Sequence, residues 1–176
     1  MNLEEIKAYF GEECKVFPNM EEVEGKLSVK TKKILYEIGL PNYKGYGGEY
    51  IMLDKLQLID NKYLQFATRI LDEDYYKECI DLETGKVVFN LKFDYTRYDG
   101  DEIYYVLNFD LESYLKYIYI DIIFHKEVRI PQKLGNYYKH HSKYAKELKS
   151  RLLKINNDVN NGSWADLIEE MDLGVI

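Results

Sequence analysis

The sequence predicts an α+β fold: a mainly antiparallel β-sheet packed with α-helices, with additional helices at the C-terminal end. Three observations carry this. Segments of period-two alternation follow one another with no helical pattern between them, which favours an antiparallel meander over a βαβ sheet. Capped helical segments precede and follow that block. The chain has 176 residues, 46% hydrophobic and 31% charged, which is one domain's worth of length at globular composition. A single domain over residues 1–176 is expected, with a core over about 28–127 and a helical extension over about 128–176.

Leu3–Phe10 reads as a short helix, with Asn2 as its cap and Glu4 and Glu5 near the positive end of the dipole. Glu12–Glu24 is acidic and irregular, punctuated by Pro18. Ser28 caps a helix from Val29 to Ile38, with Ile34, Leu35 and Ile38 on one face. Gly39 supplies a left-handed stop and Pro41 forbids continuation. Tyr43–Tyr50 is expected to be a loop rich in Tyr and Gly. Alternation then marks strands around Leu64–Ile70, Val87–Phe93 and Ile103–Phe109. A further strand, Glu78–Asp81, leads into Leu82-Glu83-Thr84-Gly85, a tight-turn signal with Gly where positive φ is needed.

Asp110 caps the next helix, Leu111 to about Phe124. Leu111, Leu115, Ile118 and Ile122 share a face, but Tyr117-Ile118-Tyr119-Ile120 is apolar on nearly every side, so the helix is expected to be buried on two sides. A strand is the alternative for that second half. A strongly amphipathic helix follows, with His141, Tyr144, Ala145, Leu148, Leu152 and Ile155 on one face and Lys139, Lys143 and Lys146 opposite. Asn156–Gly162 reads as a polar linker. Ser163 then caps a last helix in a capping-box-like pair with Asp166, and Gly174 ends it.

Acidic residues outnumber basic ones, 31 to 24, for a net charge of −7. This argues against a general nucleic-acid or anionic-membrane binder. The charge is uneven: residues 128–154 hold 8 bases and 1 acid, and residues 155–176 hold 5 acids and no base. Cys14 and Cys79 form no CxxC pair, so a disulfide scaffold is not expected and a reducing compartment is. The first residues lack a basic, apolar leader, and no apolar run reaches the ~18 residues of a membrane span. A cytoplasmic location is the expectation. Tyrosine is abundant, with 18 Tyr against 7 Phe and 1 Trp; its apolar ring and polar tip suit half-buried sites and contact surfaces alike.

No catalytic constellation emerges. His140 and His141 are sequence neighbours, which a helix points about 100° apart, so they are surface histidines before they are metal ligands. Neither cysteine has the context of a nucleophile. Tyr43-Lys44-Gly45-Tyr46-Gly47-Gly48 lacks the ending and the setting of a phosphate loop. No metal, cofactor or catalytic residue is assigned, and an enzyme is the least expected class. Asp72-Glu73-Asp74 and Asp99-Gly100-Asp101-Glu102 are acidic clusters between strands, without EF-hand spacing. They are either solvated loop charge or a surface that steers a cationic protein. The lysine face of residues 139–146 is a solvated face, lies against the acidic body, or gives weak nucleic-acid binding.

Several segments together resemble the SUKH superfamily, the cell-wall-assembly-regulator type. Ile34-Leu35-Tyr36-Glu37-Ile38-Gly39-Leu40-Pro41 resembles its helix–Gly–apolar–Pro element, and Tyr63-Leu64-Gln65-Phe66-Ala67 its next strand. Cys79–Val87 is similar to its hairpin, and Val106–Leu115 to its strand feeding a capped helix. Trp164-Ala165-Asp166-Leu167-Ile168-Glu169-Glu170-Met171 resembles the tail of members with added helices. The resemblance spans about residues 28–173, and Ala67 stands where many members have Gly. It implies a non-enzymatic bacterial immunity protein that binds and occludes a cognate toxin domain, expected to be cationic and nuclease-like. The alternative is a regulatory interaction scaffold with no toxin partner. The expected partner contacts are Tyr43, Tyr46, Asp72, Glu73, Asp74, Asp99, Asp101 and Glu102.

Overall fold

A computed structural model of the chain describes residues 1–45, 48–71, 74–91, 103–129 and 134–175. The fold is α+β, a curled antiparallel sheet with helices on one face and at one edge. Helix α1 (Leu3–Phe10) is held by a full capping box: Glu5 N–H donates to Asn2 Oδ1 at 2.9 Å and Asn2 N–H to Glu5 Oε2 at 2.7 Å. The acidic stretch after it is more ordered than its composition suggests. It holds a 3₁₀ turn (Gly11–Glu13), strand β1 (Cys14–Lys15) and helix α2 (Glu21–Glu24). Buried Phe17 and Val23 tie it down.

Ser28 caps α3 (Val29–Lys33), accepting from Thr31 N–H at 3.1 Å. The helix then widens to a π turn, Ile34–Ile38, closed by Gly39 N–H donating to Ile34 O at 2.7 Å. Gly39 has positive φ, 89°, but an extended ψ of 167°, so it is not the left-handed stop expected. Glycine is required there for another reason too. A Cβ would lie 2.9 Å from the Lys15 carbonyl, because β2 (Leu40–Pro41) pairs with β1 directly beyond it.

The main sheet runs β3-β4-β5-β6-β7-β8 in sequence order, every pair antiparallel. Its strands are β3 (Tyr43–Gly45), β4 (Gly48–Ile59), β5 (Tyr63–Leu71), β6 (Asp74–Asp81), β7 (Val87–Leu91) and β8 (Ile103–Asn108). The expected Tyr43–Tyr50 loop is thus a hairpin, with Tyr43 opposite Tyr50 and Gly45 opposite Gly48. Aromatic rings on a half-buried pleat favour strand over coil. β4 escaped the alternation test because its register slips between Met52 and Gln57, which resets the phase of inward residues midway. Gly85 takes φ +74° in the β6–β7 turn as expected, and Asp81 Oδ1 accepts from Glu83 N–H at 2.9 Å. The rings of Tyr63 on β5 and Tyr104 on β8 stack at 3.8 Å across two intervening strands. Only a curled sheet allows that contact.

Helix α4 (Leu111–Phe124), capped by Asp110, is the hub. Leu111, Tyr114, Leu115, Ile118 and Ile122 enter the core beneath the sheet. Tyr117 and Phe124 enter a second core with α5 (Leu134–Leu153) and α6 (Gly162–Leu173). The expectation of a helix buried on two sides holds. The segment taken as a polar linker does not: it contains a 3₁₀ turn, Asp158–Asn160, in which Asp158 is 2% exposed and Val159 fully buried. Nor is Ser163 the cap of α6. The helix starts at Gly162 behind Asn161, whose side chain makes no capping bond. Gly162 is pressed against β8, where a Cβ would lie 2.5 Å from Val106 O. Gly174 ends the helix in the left-handed conformation as expected.

Candidate functional site

Pairing fixes where the connections between strands leave the sheet. Gly45 and Gly48, Leu71 and Asp74, and Leu91 and Ile103 close the described ends of three strand pairs. Glu49 lies opposite Ile70, Ile70 opposite Tyr75, and Glu78 opposite Phe89. These pairings put all three ends at one end of the sheet. The expected contacts Tyr46, Asp72, Glu73, Asp99, Asp101 and Glu102 fall on the connections and lie outside the described residues. Of the remaining two, Asp74 is exposed at the start of β6 and Tyr43 is partly buried on β3.

Tyr43 is tied into the interior. Its ring stacks on Tyr50 at 4.0 Å with an interplanar angle of 6°. Its hydroxyl sits close to those of Tyr50 and Tyr114 and to the Glu78 carboxylate. The Tyr114 hydroxyl donates to Glu78 Oε2, a carboxylate with no exposed surface. Arg69, 8% exposed, completes the group. Its guanidinium lies 4.2 Å from the Phe89 ring centre, 5.2 Å from Tyr76 and 5.9 Å from Tyr50.

The chemistry of this cluster follows from its dryness. Burial pushes Glu78 up to about 7, against the opposing pull of Arg69 and the Tyr114 hydrogen bond. Burial also pushes Tyr50 to about 12 and holds Tyr43 and Tyr114 well above the phenol range. Among the described residues, Glu78 Oε1 and Arg69 Nε have no hydrogen-bond partner. A raised acid in a cleft is an active-site signature, but Glu78 and Tyr114 are closed under the sheet, out of reach of a substrate. The cluster locks the β3–β4 hairpin to α4.

The opposite face of the same sheet end is open. Glu49, Ile70 and Tyr75 form one cross-strand row, and Ile51, Thr68 and Lys77 the next. Tyr75 is 66% exposed and Ile51 42%, so an aromatic and an aliphatic side chain stand in water on the face that carries the exposed Glu49; Asp74 turns to the other face, where its carboxylate accepts from the Tyr76 hydroxyl at 3.3 Å. Sequence reasoning found Asp74 and missed Tyr75 and Ile51. The available signal was phase: Tyr50 and Tyr76 point inward, so Ile51 and Tyr75 must point out.

No group of His, Cys, Asp and Glu among the described residues is arranged to hold a metal ion. His140 is exposed and His141 is partly buried against Gly174. Cys14 is partly buried and Cys79 buried, and neither is in a disulfide. Burial raises the Cys14 thiol, the opposite of nucleophile activation. No helix among the described residues is long and apolar enough to cross a membrane. Compared with protein-family models, curated proteins and solved structures, the chain matches none. The class it can be assigned is therefore structural: an α+β domain with a six-stranded antiparallel meander and a C-terminal helical pair.

Proposed function

We propose that this chain is a non-enzymatic immunity protein, and that it works by occluding the cationic, nuclease-type domain of a cognate bacterial toxin. One observation carries this reading: the strand connections bearing most of the acidic clusters leave the sheet at one end, beside an open face with Tyr75 and Ile51 exposed. An exposed aromatic at the acidic end of a sheet has the make-up of an interface anchor, with the ring supplying affinity and the charges speeding encounter. A net charge of −7 complements a phosphate-binding partner. The SUKH-like order of motifs supports the same reading.

The test is a search of the gene's neighbourhood for a secreted-toxin gene, followed by co-expression with it; a neighbourhood without one counts against the reading. Growth rescue and co-purification of the pair are expected; their absence removes the reading. Tyr75→Ala is expected to weaken the complex by about 30-fold or more, mainly through faster dissociation. Asp74→Lys is expected to slow association several-fold at low salt and much less at high salt. Equal affinity for both variants and the parent chain places the interface elsewhere.

A further inference from the structure

The helical pair carries a pattern the reading above does not use. On α5, Lys139, Lys143 and Lys146 recur at helical spacing directly opposite the buried Tyr144, Ala145 and Leu148. On α6, Asp166, Glu169 and Glu170 lie away from the buried Trp164, Ile168 and Met171. All six charged side chains are exposed. Among the described residues none of the six is in an ion pair, although Arg151 on the same α5 binds both Glu127 and Glu147. The two helices are packed against each other. Gly174, at the end of α6, sits against the His141 ring near the start of α5. The helices are therefore antiparallel, and Lys143 and Lys146 are level with the last turns of α6.

We propose that this face pairs with the same face of a second copy of the chain. A two-fold axis parallel to the helices lays α5 of each copy on α6 of the other and leaves every residue at its own level along the axis. Lys143 and Lys146 then come level with the Glu169–Glu170 turn of the other copy, and Lys139 lies beyond the last turn of its α6. The contact is isologous, so each match occurs twice. Any arrangement that sets α5 on α5 opposes like charges, so the pattern selects the partner's orientation as well as its identity. The charge of −7 on the whole chain does not forbid the pairing, because charges beyond about 8–10 Å are screened at ordinary salt while touching pairs are not. A face two helices wide and about 20 Å long is at the low end of specific interfaces. The dimer is thus reversible and depends on charge.

Sedimentation velocity on the full chain tests this. At about 100 µM protein and about 50 mM salt, a dimer fraction is expected that weakens roughly ten-fold or more in dissociation constant by about 500 mM salt. Two variants then decide the surface. K143E/K146E reverses the charge of the α5 face from +3 to −1, and E169K/E170K reverses that of the α6 face from −3 to +1; each alone is expected to be monomeric with an unchanged circular dichroism spectrum. Mixed together, they are expected to form the heterodimer. A parent chain that stays monomeric at low salt, a dimer that survives either reversal, or a mixture that fails to associate overturns the proposal.

Discussion

The molecule has two cores that share one helix, and each buries a carboxylate. Under the sheet, Glu78 receives one hydrogen bond among the described residues, from Tyr114, with the Arg69 charge nearby. In the helical core, Asp158 Oδ2 accepts from Asn108 Nδ2 at 3.0 Å, Phe109 N–H at 3.2 Å, Ser113 Oγ at 3.0 Å and Asn156 Nδ2 at 2.9 Å. Asn108 Oδ1 in turn accepts from the Trp164 indole at 3.0 Å. One carboxylate thus gathers donors from β8, α4 and the segment before α6 on its Oδ2, while the other has Tyr114 on its Oε2; the second oxygen of each, Asp158 Oδ1 and Glu78 Oε1, has no partner among the described residues. A buried acid stabilises a junction when donors replace its water, and becomes a pH-sensitive liability when they do not.

The sharpest way to break the comparison is Asp158→Ala. It removes the acceptor that four donors share at the junction of the cores, of which, among the described residues, Ser113 Oγ alone keeps another, Asp110 O, and is expected to cost about 3–5 kcal/mol in urea unfolding. A loss under about 1 kcal/mol would mean the network contributes little.

Glu78 comes next, through pH. Its folded value of about 7 against an ordinary 4.5 means the folded chain holds this proton more tightly than the unfolded chain. The destabilisation is absent below the ordinary value, grows as pH rises between the two, and is complete above about 7, where it reaches about 3 kcal/mol. Glu78→Gln is expected to flatten the stability profile between about pH 5 and pH 8; an unchanged slope assigns the effect to another group. Tyr114→Phe removes a hydrogen bond that favours the carboxylate, so it is expected to move the midpoint of that profile upward. A downward shift contradicts the assignment.

The smallest effect belongs to Tyr117→Phe. This hydroxyl accepts from Val159 N–H at 3.0 Å and donates to Asn156 Oδ1 at 2.7 Å. Its loss is expected to cost about 1–2 kcal/mol, with slower change in pH dependence than any Glu78 variant.

Local chemistry made much of the fold legible. Asn2, Ser28 and Asp110 cap helices exactly where a short oxygen-bearing side chain precedes an apolar period. Gly85 marks its turn through φ alone. The readings that failed depended on distant partners. Asn156–Gly162 reads as a linker because it is polar, but its Asp158 and Val159 are buried, and Asn108, Phe109 and Ser113 supply donors to Asp158 from elsewhere in the chain. Ser163 had the composition of a cap, but the approach of Gly162 to Val106 starts the helix earlier. Of the candidate contacts, Asp74 was legible as a charge beside a turn. Tyr43 was not legible as an interior group, since nothing local reveals Tyr50, Tyr114 and Glu78 around it.

By itself the sequence determined the α+β class, the meander, the helix caps and the two-sided burial of α4, because periodicity and capping are properties of neighbours along the chain. Tertiary structure alone decided that Glu78 is dry, that Asp158 gathers its donors, and that Tyr75 and Ile51 face water. Each of these depends on which side of a curled sheet is covered, and by residues far away in sequence. Solvation is a property of the whole packed object, and no local pattern encodes it.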